Sequence, residues 1–161
     1  MPHVYVSTYA KYNSGSLKGE WVDLDDHDKY TFREYIKELH ADEDDPEFML
    51  QDWENVPEAL VKESGIDPRM WDWLELDDYD RDVVQAFLDE EDSSAQIDYI
   101  LEHYGGTYLD PVDWAQTYLE EVGEVPEGLR GYINYERYAR DAGYDGMTFI
   151  ECSEGVHVFH P

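Results

Sequence analysis

Val4, Val6 and Thr8 alternate with Tyr5, Ser7 and Tyr9, the period-two pattern of a strand with one buried face, and the turn-rich Asn13-Ser14-Gly15-Ser16 separates it from a second strand over residues 17–24. From there the period lengthens. Phe32, Tyr35, Ile36 and Leu39 recur at helical spacing, and Thr31 and Glu34 stand at capping-box separation, so a short helix is predicted to end near His40. The acidic run Asp42-Glu43-Asp44-Asp45 and Pro46 interrupt the pattern, and residues 47–53 read as a third strand. Residues 1–58 are expected to form a small α+β subdomain.

Residues 59–106 change character. Pro57 suits the first position of a helix and Gly65 its C-terminal cap, with Ala59, Leu60 and Val61 between them. A second helix is predicted over residues 68–76, a third around Val83, Val84, Phe87 and Leu88, and a fourth capped by Ser94 and stopped by Gly105-Gly106. The outward positions of this helical cluster are Asp77, Asp78, Asp80, Asp82, Asp89, Glu90, Glu91 and Asp92, so its polar face is almost uniformly negative. In residues 107–161, Asp110 and Pro111 open a helix carrying Trp114, Tyr118, Leu119 and Val122 as far as Gly123. Tyr132, Tyr135, Tyr138 and Ala139 mark another helix ended by Gly143, and residues 147–151 and 156–159 read as a hairpin joined through Ser153-Glu154-Gly155. The fold class is α+β in three small subdomains: an N-terminal antiparallel sheet with a helix, a central helical cluster, and C-terminal helices with a β-hairpin.

Charge adds the main functional clue. Forty of the 161 residues are Asp or Glu against eleven Lys or Arg, a formal net charge of −29, while hydrophobic residues make up 42% and aromatic residues 15%. Acidic chains stay disordered when apolar residues are scarce; here they are plentiful, so the acid decorates a packed object. Direct nucleic-acid binding is excluded, because phosphates are repelled and no basic patch supplies counterion release. The implied partner is positive. Apolar runs fall far short of the roughly 20 residues of a spanning helix, and the opening Met1-Pro2-His3-Val4-Tyr5 lacks a signal-peptide pattern, so no membrane partner and a cytoplasmic location are expected. The single cysteine, Cys152, agrees with a reducing compartment.

Motifs for chemistry are weak. Asp78, Asp80 and Asp82 alternate as calcium-loop ligands do, but Val83 stands where such a loop needs glycine and Asp89 where it needs Glu. Cys152, His157 and His160 lack the paired ligand spacing of a zinc site. With so many carboxylates, any glycosidase-type pair is uninformative, and no phosphate loop, nucleophile elbow or HExxH motif occurs. No catalytic residue, metal or cofactor is therefore expected. The five tryptophans, Trp21, Trp53, Trp71, Trp73 and Trp114, read as core instead of a base-stacking platform, since such platforms accompany positive grooves. Composition alone also fits a halophile-type acidic protein or a calcium-binding module.

The segment running Val4-Tyr5-Val6-Ser7-Thr8-Tyr9-Ala10-Lys11-Tyr12-Asn13-Ser14-Gly15-Ser16-Leu17-Lys18-Gly19-Glu20-Trp21 resembles the N-terminal signature of the ArdA antirestriction family, with its Lys-Tyr-Asn-x-Gly-x-Leu-x-Gly-x-Trp core. Residues 48–54, the stretch 132–141 and the terminal Val158-Phe159 are similar to the same family. The resemblance implies a DNA mimic: an elongated, curved homodimer whose carboxylates imitate duplex phosphates in the DNA groove of type I restriction-modification enzymes. Duplex DNA carries about two charges per base pair, so two chains at −29 each match the phosphates of about 29 base pairs. The phosphate-mimicking candidates are Asp42, Glu43, Asp44, Asp45, the acids from Asp77 to Asp92 named above, and Glu120, Glu121 and Glu124. Residues 118–124 resemble the family's short antirestriction motif, which lies where its subunits meet, so Tyr118, Leu119 and Val122 are the expected dimer contacts.

Overall fold

The computed structural model describes residues Met1–Pro161 and confirms the α+β class, with seven α-helices and three small antiparallel sheets. It divides into two compact units, Met1–Ile97 and Asp98–Pro161.

In the first unit, β1 (His3–Thr8) is the central strand between β2 (Glu20–Asp23) and β3 (Phe48–Glu54). Its alternation is the cause: Val4 and Val6 are fully buried and Tyr5 half-buried. Val4 faces Val22 on one side and Trp53 on the other, and a bulge between Tyr5 and Val6 shifts the register against β3. The alternation does not extend to Tyr9, where the expected strand gives way to α1 (Tyr9–Asn13), because the Thr8 hydroxyl accepts from Lys11 N and caps the turn. Helix α2 (Lys29–Leu39) ends at His40 as predicted but starts from Asp28, whose carboxylate accepts from Tyr30 N and Thr31 N. Thr31 thus serves as the inner partner of the capping box, accepting from Asp28 N, and not as the cap itself.

The helix expected between Pro57 and Gly65 is replaced by a 3₁₀ turn (Glu58–Leu60) and a tight hairpin, β4 (Val61–Lys62) and β5 (Gly65–Ile66). The physical reason is that two β-branched residues, Val61 and Ile66, pair across the two-residue turn. Helices α3 (Arg69–Leu74) and α4 (Asp78–Glu90) follow, burying Met70 and Trp73, then Val83, Val84, Phe87 and Leu88. The Phe32 ring of α2 lies 5.7 Å from Trp71 of α3.

The second unit takes in α5 (Ile97–His103) from its second residue onward, β6 (Tyr104–Tyr108), α6 (Pro111–Glu121), α7 (Tyr135–Tyr144), β7 (Thr148–Cys152) and β8 (Gly155–Phe159). The β7–β8 hairpin is as predicted, but it belongs to a three-stranded sheet in which β8 is central and β6 the third strand. Gly105 and Gly106, expected as a helix stop, lie within β6. A side chain at Gly105 would meet the His160 ring at 2.7 Å, and Gly106 adopts φ 109° where the pairing with β8 bulges. Asp110 caps α6 by accepting from Asp113 N. The core gathers on Trp114, Ala115, Ala139, Val156 and Val158, with Tyr118 and Tyr138 stacked near Trp114 at 5.4 and 6.2 Å. Tyr132 lies outside α7, in a 3₁₀ segment (Glu127–Tyr132), and is exposed.

Candidate functional site

The acidic residues separate into those that organise the backbone and those that stand free in solvent. Asp28, Asp77 and Asp110 each cap a helix, and Asp92 accepts from both the amide and the hydroxyl of Ser94. The Asp28 and Asp92 carboxyls are held below the usual carboxylate range, chiefly by hydrogen bonds from Thr31 and Ser94 respectively. The Asp28, Asp77 and Asp110 caps also complement the positive ends of their helices.

Asp42, Glu43, Asp44 and Asp45 form the turn between α2 and β3, with Asp42, Asp44 and Asp45 exposed and Glu43 half-buried. Lys11 reaches this turn from α1: its ammonium lies 2.7 Å from His40 Nδ1, 2.9 Å from Asp42 Oδ1 and 3.6 Å from Glu43 Oε1. The hydrogen bond from Lys11 is the largest cause holding the Asp42 carboxyl below its ordinary value.

Asp77, Asp78, Asp80, Asp82, Asp89, Glu90, Glu91 and Asp92 run along α4 and just past its ends; all are exposed except Asp80, which is half-buried. Asp78, Asp80 and Asp82 occupy alternate positions of a helix, where successive carboxylates diverge, so the convergent geometry of a calcium loop is not formed. Partial desolvation pushes the Asp89 carboxyl up, a hydrogen bond with Gln85 opposes this, and Glu58 and Glu90 add to the rise.

Glu120, Glu121 and Glu124 are exposed at the C-terminal end of α6, where Glu120 lies 3.7 Å from Arg130. The expected dimer residues differ sharply in what they offer. Leu119 is 5% exposed and belongs to the unit's own interior, Tyr118 is half-buried against Trp114, and Val122 is 44% exposed. His157 is buried in β8 with Thr107 Oγ1 at 3.0 Å from its Nδ1, a structural hydrogen bond.

Sequence reasoning missed the way the scarce cations are used. Three of them turn inward. Lys11, Arg69 and Arg81 have side chains only 13, 14 and 17% exposed. Arg69 binds Asp67 and the carbonyls of Ser93 and Ala95; Arg81 binds Asp25 and the Leu74 carbonyl and lies 5.1 Å over the Trp73 ring. They staple segments together, while most carboxylates remain outside without a counter-charge.

Fold and surface together define a small acidic α+β protein whose exterior is dominated by carboxylates. No helix is long and apolar enough to cross a membrane. The chain belongs to the ArdA family: the family model described as Antirestriction protein (ArdA) matches residues 4–157. No curated protein gives a match.

Proposed function

We propose that the chain is a DNA mimic that inhibits type I restriction-modification enzymes by occupying the DNA-binding groove of their methyltransferase core. Membership of the antirestriction family supplies the class of target. The observation that carries the mimicry is the outward surplus of carboxylates in the Asp42–Asp45 turn, along α4 and at the end of α6, while Lys11, Arg69 and Arg81 are spent inside. A groove built to bind duplex phosphates presents cations, and a dense array of carboxylates meets it with complementary potential and accelerated encounter. Inhibition then follows from competitive occupation and needs no catalytic residue, metal or cofactor. In this reading residues 59–106 form the main acidic subdomain and residues 107–161 bring two chains together as a homodimer, with Val122 as the exposed contact.

The test is a competition titration of the purified protein against a labelled target duplex bound to a type I methyltransferase core, at low and at raised salt. Displacement that weakens as salt rises is the expected result. Absence of displacement at low salt refutes the proposal.

A further inference from the structure

Lys11 is an uncommon use of a scarce cation. His40, Asp42 and Glu43 bring one polar atom each to within 4.8 Å of one another, and the Lys11 ammonium stands at their common point. Thr8 closes the arrangement, accepting from Lys11 N and donating to Glu43 Oε1 at 2.6 Å. One network therefore joins the cap of α1, the ammonium and the base of the acidic turn. Lys11 makes the turn's only ion pairs, and Asp44, Asp45 and Glu47 lie exposed just beyond it, where like charges push the segment apart. The network carries its positive charge on the lysine, because burial and then the neighbouring ammonium keep the His40 imidazole below its ordinary pKa, against the opposing pull of Glu43 and Asp42.

We propose that Lys11 is a positioning residue, an internal counter-cation that fixes where the carboxylates of the Asp42–Asp45 turn stand when they meet the partner's groove. This rests on the proposed reading of those carboxylates as phosphate substitutes. It makes an expectation opposite to that of net charge. Lys11→Met renders the chain more negative, so if summed charge alone governed affinity it would bind at least as tightly as wild type. Lys37→Met, which removes an exposed cation from α2, isolates that effect.

The experiment measures displacement of duplex from a type I methyltransferase core by wild type, Lys11→Met, Lys11→Gln, Lys11→Arg and Lys37→Met, together with amide hydrogen exchange at Ala41 and Glu43, which bond to the Glu38 and His40 carbonyls. The expected result is binding about tenfold weaker for Lys11→Met and Lys11→Gln, the scale of one lost charge-assisted contact. Faster exchange at the two amides, substantial rescue by Lys11→Arg and no loss for Lys37→Met complete the pattern. Lys11→Gln retains a donor for His40 Nδ1 and serves as the folded variant should Lys11→Met lose its structure. Unchanged exchange with binding equal to that of Lys37→Met overturns the proposal. Failure of wild type itself to displace duplex overturns the phosphate-mimic reading, whereas the exchange measurement judges the hold of Lys11 on the turn separately.

Discussion

Asp44, Asp45, Asp78, Glu90 and Glu91 are exposed and serve in no side-chain helix cap or ion pair, which makes them the cleanest probe of charge-based inhibition. Replacing all five by Asn or Gln removes five negative charges without disturbing Asp77, Asp92 or the Lys11 network. An exposed ion pair contributes about 0.5 kcal/mol, so five give about 2.5 kcal/mol if each meets a cation in the groove. That corresponds to about 70-fold weaker binding at low salt. Glu90 and Glu91 stand at the C-terminal end of α4, where carboxylates oppose the helix dipole, and Asp78 in its first turn, where one is favourable, so the opposing effects should leave the variant unfolding close to wild type. The assay is displacement of labelled duplex at low and raised salt, with thermal unfolding as the fold control. Screening must narrow the gap between variant and wild type as salt increases. A folded variant that inhibits within about threefold of wild type at low salt, or a deficit that salt leaves unchanged, refutes the mechanism.

Three further outcomes test other parts of the account. On the proposed homodimer, Val122→Glu places a charge on the exposed residue at the end of α6 and is expected to shift the protein to monomer in sedimentation, where wild type runs as a dimer; an unchanged dimer removes Val122 from the interface. Gly155→Ala forces a side chain against the Tyr108 carbonyl at a backbone φ of 139° and should cost roughly 1–3 kcal/mol, read as a lower Tm; an unchanged Tm refutes the placement of β8 beside β6. The Asp67 carboxyl is held below its ordinary value, first by the side-chain hydrogen bond from Arg69, with burial opposing. A depressed folded pKa contributes stability that is present above the unfolded value, about 3.9, and is lost as pH falls through the folded value. Asp67→Asn should therefore lower Tm at neutral pH and converge with wild type in acid, and a gap independent of pH contradicts that origin.

Legibility in the sequence followed the range of the interactions. Helix α6 was readable from Asp110-Pro111 because its cap, its first turn and its apolar stripe all lie within one dozen residues. The same holds for Val4 and Val6 in β1 and for the β7–β8 hairpin. Gly105-Gly106 misled because glycine ends helices by local preference, yet here it lets β6 bulge against β8 and clears room for the distant His160. The Pro57–Gly65 segment likewise carried helix punctuation that the Val61–Ile66 pair overrode. For the candidate site, the acidic stretches were plain from composition, but their division into structural and free carboxylates was not. Lys11 meets Asp42 across 31 positions and Arg81 meets Asp25 across 56, so which acids are neutralised depends on tertiary placement alone.

The direction of the helices separates the acids that folding explains from those it does not. At the N-terminal ends of α2, α4 and α6 an aspartate satisfies orphan amides and complements the dipole, so folding alone accounts for Asp28, Asp77 and Asp110. At the C-terminal ends of α4 and α6 the sign reverses. Asp89, Glu90 and Glu91 close one helix and Glu120 and Glu121 the other, with no basic residue in either last turn. Each such carboxylate opposes the dipole by about 0.3–1 kcal/mol, and neighbouring acids add mutual repulsion. The helix dipole gives no reason to gather acids there, and of the five only Glu120 has a cation beside it, Arg130 at 3.7 Å, whereas the cationic groove of the proposed reading would favour them all. On the proposed reading, the stability cost at these two helix ends is offset by the partner's cationic groove, which makes their carboxylates the first to neutralise in testing it.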